Sequence, residues 1–453
     1  MSSFRQRAVC IISICILLIR SHLAAQNGEV LAKRLNDEIQ SRVNEDYAYL
    51  GPLYKYLHAN PELSRHEGHT AARIAEELHK LGFEVTANIG GYGVVGVLKN
   101  GMGPTVLVRT DLDALPVEEN TGLEYASKIR TQDEQGNEVG VMHACGHDVH
   151  MTVFIGTARL LSQLKEKWRG TLLMIGQPAE ETGTGAKAML EDGLFTKFPR
   201  PDYCLALHSS AALPAGRVGI CEGYALANVD FVDLKIFGVG GHGAYPHTTK
   251  DPVVIAARIV LALQTIVSRE IKPLEPAVVT VGAIHGGTKH NIISDEVELQ
   301  LTLRSYSDQV RNQTIEAIKR ISKGIALSAG VPEDRLPTLT VREGFTPATY
   351  NDPELTRRIG MAMRAVLGDE NVLNVEPVMA GEDFGQYGRV EPKIPICIFW
   401  LGALDPQKLE EILRTGAPVP SLHSSLFAPV PEPTIKTGVK AMSAAVLDLL
   451  ETE

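Results

Sequence analysis

Residues 141–151 read VMHACGHDVHM, and within them stand His143, Cys145, His147, Asp148 and His150. The whole 453-residue chain holds six cysteines and fourteen histidines, so this local density asks for a chemical reason. Thiolate and imidazole together are the donor set of a zinc-like divalent ion, with carboxylates filling the remaining positions. Cys145 and His147 are two apart, so in extended backbone they face the same way, with His143 on that side too. Asp148 and His150 begin the next helical stretch. Spacing leaves open which of these bind, and a polar loop capping a helix is the bland alternative.

A second group is PAEET, with Glu180 and Glu181 side by side. Adjacent carboxylates on an extended turn point to different places, which suits one as metal ligand and the other as general base. His208 closes ALHSS, and the same LHSS recurs at 422–425 with His423. Lone histidines are more often structural than ligating, so these two gain weight only from where the chain puts them.

The elements that must position these groups alternate. TVLVRTDLDAL reads as a buried strand entering a polar loop, HMTVFIGTARLLSQL as a helix, GTLLMIGQPAEE as a strand, GAKAMLEDG as a helix and DYCLALHSS as a strand. Strand–helix alternation is the signature of an α/β domain with a mostly parallel sheet, whose ligands gather at the carboxyl ends of the strands. Asp111 and Asp113, Glu180 and Glu181, and His208 each follow a different expected strand, so all could converge on one edge.

From Asn228 the style changes. DFVDLKIFG alternates, 251–271 reads as one long apolar helix, AVVTVGAIHGG and EVELQLTLRS as strands, and QVRNQTIEAIKRISKGIALSAG as a second helix. The expectation is a compact α+β satellite over 228–342, inserted into a larger α/β domain formed by 26–227 and 343–453. NDPELTRRIGMAMRAVLG and KIPICIFWLG return to the helix and buried-strand style of the first part.

The first 25 residues stand apart: a basic start, the apolar run AVCIISICILLI, then small residues suited to cleavage after Ala25. This is the layout of a signal peptide, with an uncleaved anchor as the alternative. No later apolar run looks long enough to span a membrane, so a soluble exported domain, periplasmic or secreted, is expected. Cleavage removes Arg5, Arg7 and Arg20 and moves the net charge from -10 to -13. That acidity argues against nucleic acid or an anionic membrane as partner. Cys145, Cys204, Cys221 and Cys397 remain, without the spacing of a disulfide framework.

MHACGHDVH, PAEE followed by GAKAMLEDG, GGHGAYPH, GGTKHNIISDEVELQLTLRS, GEDF and LHSSLF occur in that order over nearly the whole chain. Together they resemble the metal-dependent amidohydrolases that include hippurate hydrolase, indole-3-acetyl-amino-acid hydrolases and N-acyl-amino-acid deacylases, relatives of aminoacylase and glutamate carboxypeptidase. The resemblance implies two divalent ions per subunit, zinc or manganese, with cobalt or nickel possible. Cys145 would bridge them, and His147, Glu181, His208 and His423 would complete the ligand set. Glu180 would be the general base and acid, and Asp111 would orient a metal-binding histidine. His143 and His150 would be non-ligands. His242, reaching the site of a second subunit, would stabilise the oxyanion, and Asn291 and Arg304 would hold the substrate. The satellite would act as lid and as homodimer interface.

The chain departs from the family pattern at Val239, Gly243, Lys289, His290, Ser294 and near Leu301, all in the satellite. None removes a ligand. The resulting expectation is hydrolysis of a small N-acyl amino acid, with a dipeptidase or carboxypeptidase as the nearest alternative. A catalytically silent, dimeric acyl-amino-acid binding protein is the alternative from another class.

Overall fold

A computed structural model describes residues 33–450 except 134, 343 and 418; the leader expected over 1–25 lies outside them. Eight strands form one sheet, in the order Glu84–Ile89, Gly93–Asn100, Gly170–Gln177, Thr105–Asp111, Tyr203–Pro214, Ile396–Leu404, Val218–Ile220, Val372–Asn374. The four central strands run parallel. Their Val/Ile/Leu runs are buried on both faces, as a sheet covered by helices on each side requires. The edge hairpin is antiparallel because only three residues join its strands. Gly90 permits that tight turn: it has a φ of +64°, and a Cβ there would lie 2.4 Å from the backbone nitrogen of Met189.

One sheet face is covered by the helix over 33–59 and by Gly68–Lys80, His147–Gln163, Pro353–Leu367 and Pro431–Leu450. They share a core that includes Tyr54, Ile74, Phe154, Trp168, Ile359 and Val439. The other face packs against the helix Gly185–Glu191 and the 3₁₀ turn Asp383–Arg389, which contributes buried Phe384 and Tyr387.

The second sheet is wholly antiparallel, in the order Ala277–Gly286, Glu296–Ser305, Asn228–Phe237, Thr338–Val341. Val297, Leu299, Leu301 and Leu303 alternate inward against the helices Pro252–Thr265 and Asp308–Ser328. Their intervening neighbours Glu298, Gln300, Thr302 and Arg304 occupy the open face.

Two elements differ from expectation. The helix expected over 251–271 is α-helical to Thr265 and finishes as a π turn, Ile266–Glu270. Asp251 caps its start, accepting from the Val253 N–H at 2.9 Å. By length and composition Pro252–Glu270 is apolar enough to cross a membrane, contrary to the expectation that no later run reaches that length. Here Ile255, Ile259 and Leu263 face the satellite core, while Val253, Val254 and Leu261 stay exposed. The second difference concerns His208, which lies inside its strand and not beyond its end. The neighbouring strand pairs with it only as far as Arg109 opposite Ala206. On the other side Ile396–Leu404 continues the pairing past His208 to Pro214.

Candidate metal centre and active-site cleft

Gly146, in the left-handed region at φ 81°, turns the chain into the helix that begins at His147. That turn puts Cys145 and His147 at the carboxyl edge of the central strands. The chain passes through the left-handed region again at Ala179 (φ 52°) and at His423 (φ 65°). Non-glycine residues held there are strained, and such strain gathers where side chains must be aimed. The His423 N–H donates to the Ala144 carbonyl at 2.9 Å, joining two loops far apart in sequence.

Among the described residues, donor atoms within 4.8 Å of one another form five overlapping triads: Cys145, His147 and His208; Cys145, Glu181 and His423; His147, Glu180 and Glu181; Asp111, His147 and His150; and Glu180, Glu382 and Asp383. Cys145 belongs to the first two, the arrangement a bridging thiolate requires. Its sulfur lies 3.5 Å from His208 Nε2 and 3.2 Å from His423 Nε2.

Two of the candidate imidazoles, His147 and His208, are set by their other nitrogen. His147 Nδ1 donates to the Asp113 carbonyl at 2.8 Å, and His208 Nδ1 donates to the Ser209 carbonyl at 2.8 Å. Both therefore present an Nε2 lone pair to the site, the orientation that a neighbouring acceptor confers on metal-binding histidines. His147 Nε2 and Glu181 Oε1 are buried without a hydrogen-bond partner. Orphaned buried acceptors are costly, and a divalent cation is what this set would satisfy.

His150 is different. Its Nε2 accepts the Ser209 N–H at 2.8 Å and its Nδ1 donates to Asp111 at 2.8 Å, so no lone pair is left for a metal. His143 is buried with both ring nitrogens unpartnered, and burial pushes its pKa down to about 4. It belongs to none of the triads.

Electrostatics point the same way. Burial raises the Cys145 thiol well above its ordinary value, with Glu181 and Glu180 adding to the shift. Burial raises Glu180 well above the carboxylate range, reinforced by Glu382 and Glu181, and pushes Glu181 up to about 7. His208 is pushed down to about 3 by burial, with His150 adding to it. His147 rises to about 10: burial opposes its charge, but Asp111 and Asp113 outweigh burial. A cluster of buried acidic groups of this kind is what a multivalent cation neutralises.

Asp111, expected to orient a metal-binding histidine, accepts from His150 Nδ1, whereas the His147 ring donates to the Asp113 backbone carbonyl. Asp113 backs His147, and its side chain also accepts from the Glu181 N–H at 2.9 Å and the Ser64 hydroxyl at 2.6 Å. Asp111 Oδ2 sits on the other side, 3.6 Å from His147 Nε2, while Asp111 accepts from Arg109 and His150. As the last residue of its strand, Asp111 points into the site, and the loop that follows carries Asp113 behind the imidazole.

Sequence reasoning also missed a buried layer under the site. The Arg109 guanidinium donates to Asp111 at 2.8 Å, Glu382 at 2.9 Å, Asp383 at 3.1 Å and Gln177 at 3.0 Å. An arginine inside the apolar run TVLVRTD was the available signal.

The cleft beside the donors has a volume of about 520 Å³. Glu180, Glu181, His208 and His423 form one side, Gly381, Glu382 and Asp383 lie among its lining, and the satellite supplies Val229, Phe231 and Arg304. Arg304 is half-buried, and desolvation alone lowers its pKa, with no charged neighbour among the causes. His242 and Asn291 do not line this cleft; both are exposed on the satellite, with His242 in a small two-stranded ribbon. A Cβ on Gly243 would lie 3.1 Å from the Asn291 backbone, so a larger residue there would crowd this loop.

The model for "Peptidase family M20/M25/M40" matches residues 107–412. Thermostable carboxypeptidase 1 of Saccharolobus solfataricus is 36% identical over 411 residues, covering 90% of this chain and 97% of that one. Hippurate hydrolase of Campylobacter jejuni is 38% identical over 331 residues, covering 73% and 82%. The crystal structure of the Bacillus subtilis YXEP protein, described as a dinuclear metal binding peptidase from the M20 family, superposes with a TM-score of 0.73 at 28% identity, covering 90% of this chain and all of that one. With the donor triads in place and a match of this extent, the chain belongs to the M20/M25/M40 peptidase family and is a metal-dependent hydrolase of amide bonds.

Proposed function

We propose that the protein hydrolyses the amide bond of N-acyl amino acids, releasing a carboxylate and a free amino acid. The observation that carries this reading is Arg304, a half-buried guanidinium without a counter-charge among the described residues, lining the same cleft as Glu180 and Glu181. A planar fork of that kind binds a carboxylate bidentately, and the product amino acid carries one. Relatives named hippurate hydrolase and N-acetyl-L-cysteine deacetylase support the same reading.

Cys145, His147, Glu181, His208 and His423 would hold two divalent ions, zinc or manganese, which when bound polarise a carbonyl and acidify a water. Glu180 takes the proton of the attacking water and delivers it to the departing amine. Asp113 fixes the His147 ring and the Glu181 backbone together. His242 serves the site of a second copy in a homodimer formed through the satellite, which its exposure and its absence from its own cleft favour. The leader over 1–25 exports the enzyme.

A carboxypeptidase acting on short peptides is the second reading, favoured by the same Arg304 and by the carboxypeptidase relative. The deciding experiment pairs metal analysis with turnover of N-acyl amino acids and dipeptides, in wild type and Glu180→Gln. We expect two metals per chain in both proteins. Wild type turns over N-acyl amino acids, and the variant loses about 10²–10⁴ in kcat. Retained turnover in Glu180→Gln removes the proposed base; dipeptide turnover alone selects the second reading.

A further inference from the structure

The two ends of the cleft carry different apolar groups, and we infer that they read the two halves of the substrate separately. Trp400 and Leu422 receive the acyl group, and Phe231 with Val229 receives the side chain of the amino acid. The inference rests on the N-acyl amino acid reading above and adds the substrate class within it.

The metal-side end is built on neighbours of the ligands. Trp400 is the strand partner of His208, and its ring lies 5.4 Å from the His208 imidazole, tilted by 59°. Leu422 directly precedes His423, whose Nε2 approaches the Cys145 sulfur at 3.2 Å. The scissile carbonyl must sit among these donors. The carbon chain attached to it therefore emerges beside the indole and the leucine.

The satellite end is set by strand register. Val229 pairs with Arg304, and Phe231 pairs with Thr302 one step further along. Phe231 and Arg304 share the open face, since their neighbours Val232 and Leu303 point into the satellite core. Phe231 is 54% exposed although it is a large apolar side chain, and it lines the cleft. With the α-carboxylate on Arg304, the substituent on the same α-carbon lies against the phenyl ring and Val229.

Charge sets the limit of the class. Among the described residues lining the cleft, Arg304 is the one lysine or arginine, whereas Glu180, Glu181, Glu382 and Asp383 are all acidic. A second carboxylate on the substrate finds no lysine or arginine partner there. The preferred substrates are N-acyl derivatives of apolar amino acids with an apolar acyl group, and N-acyl-glutamate is poor.

The test measures kcat/KM on N-acetyl- and N-benzoyl-alanine, -leucine and -glutamate for the metal-loaded enzyme and its variants. Phe231→Ala is expected to cut the leucine-over-alanine preference by about tenfold and to leave the benzoyl-over-acetyl ratio within about twofold. Leu422→Ala should do the reverse, with Trp400→Phe as a second acyl-side variant should Leu422→Ala fail to fold. Wild type should favour leucine over glutamate substrates. Turnover of N-acyl amino acids with both ratios moving together, with the wrong ratio moving, or with glutamate preferred overturns this assignment and leaves the general reading standing. Turnover of dipeptides without any N-acyl amino acid overturns both.

Discussion

Arg109 and Glu382 meet in a buried ion pair, Nη2 to Oε1 at 2.9 Å, although 273 positions separate them. The pair fastens the carboxyl end of a central strand to the turn at Gly381–Asp383 that lines the cleft. The same guanidinium faces Asp111 and Asp383. Removing it leaves buried carboxylates without a counter-charge, which costs about 3–5 kcal/mol. Arg109→Met should lose stability of that order in chemical denaturation. Arg109→Lys should lose less, because it restores the charge but not the fork. A fully stable Arg109→Met would show that the acids find another counter-charge.

His58 sits between Asp148 at 2.6 Å and Glu119 at 3.0 Å. Burial alone would push its pKa down, but the hydrogen bonds to the two acids hold it at about 10. A pKa raised on folding contributes stability fully below the unfolded value near 6.5, and loses it as pH rises through about 10. Wild type should exceed His58→Gln in stability by most at pH 6, with the gap closing as pH rises towards 10. Urea midpoints across that range measure it, and a gap that widens with pH would contradict the charged pair.

Metal removal should destabilise the protein as well as silence it. Cys145, His147 and His208 are buried, and ions that bind only the folded chain stabilise it by mass action, about 2.7 kcal/mol per site at a hundredfold excess over Kd. Chelation should lower the melting temperature, and added zinc should restore it. A melting temperature indifferent to chelation would argue that the donor triads are satisfied without ions.

The placing of His242 away from its own cleft gives a complementation test. In the proposed homodimer, Glu180→Gln and His242→Ala proteins should each be nearly inactive. Mixing them under subunit exchange creates heterodimers with one intact site, so activity should recover to about a quarter of wild type. No recovery after demonstrated exchange would place His242 outside the reaction.

Short motifs make the candidate site residues visible, because Cys145, His147, Glu180 and Glu181 stand beside strands whose type their own composition declares, while spacing leaves open which of them bind. The satellite was readable too, from the strict alternation in DFVDLKIFG and EVELQLTLRS. Asp111 and Asp113 share one parity, and only the turn between strand and loop decides which of them backs His147. His208 looked like a strand end because its own segment turns polar, whereas strand length is set by the partner Ile396–Leu404. The Arg109–Glu382 pair was hidden, since nothing local relates GEDF to TVLVRTD.

The contact between Cys145 and His423 spans 278 positions, and that separation has a consequence for biosynthesis. The ribosome finishes Cys145, His147, Glu181 and His208 long before His423, with the whole satellite made in between. A nascent chain therefore carries an incomplete donor set through most of its synthesis. The full set of candidate donors comes together only once the segment bearing His423 has been made and has docked on the Ala144 carbonyl.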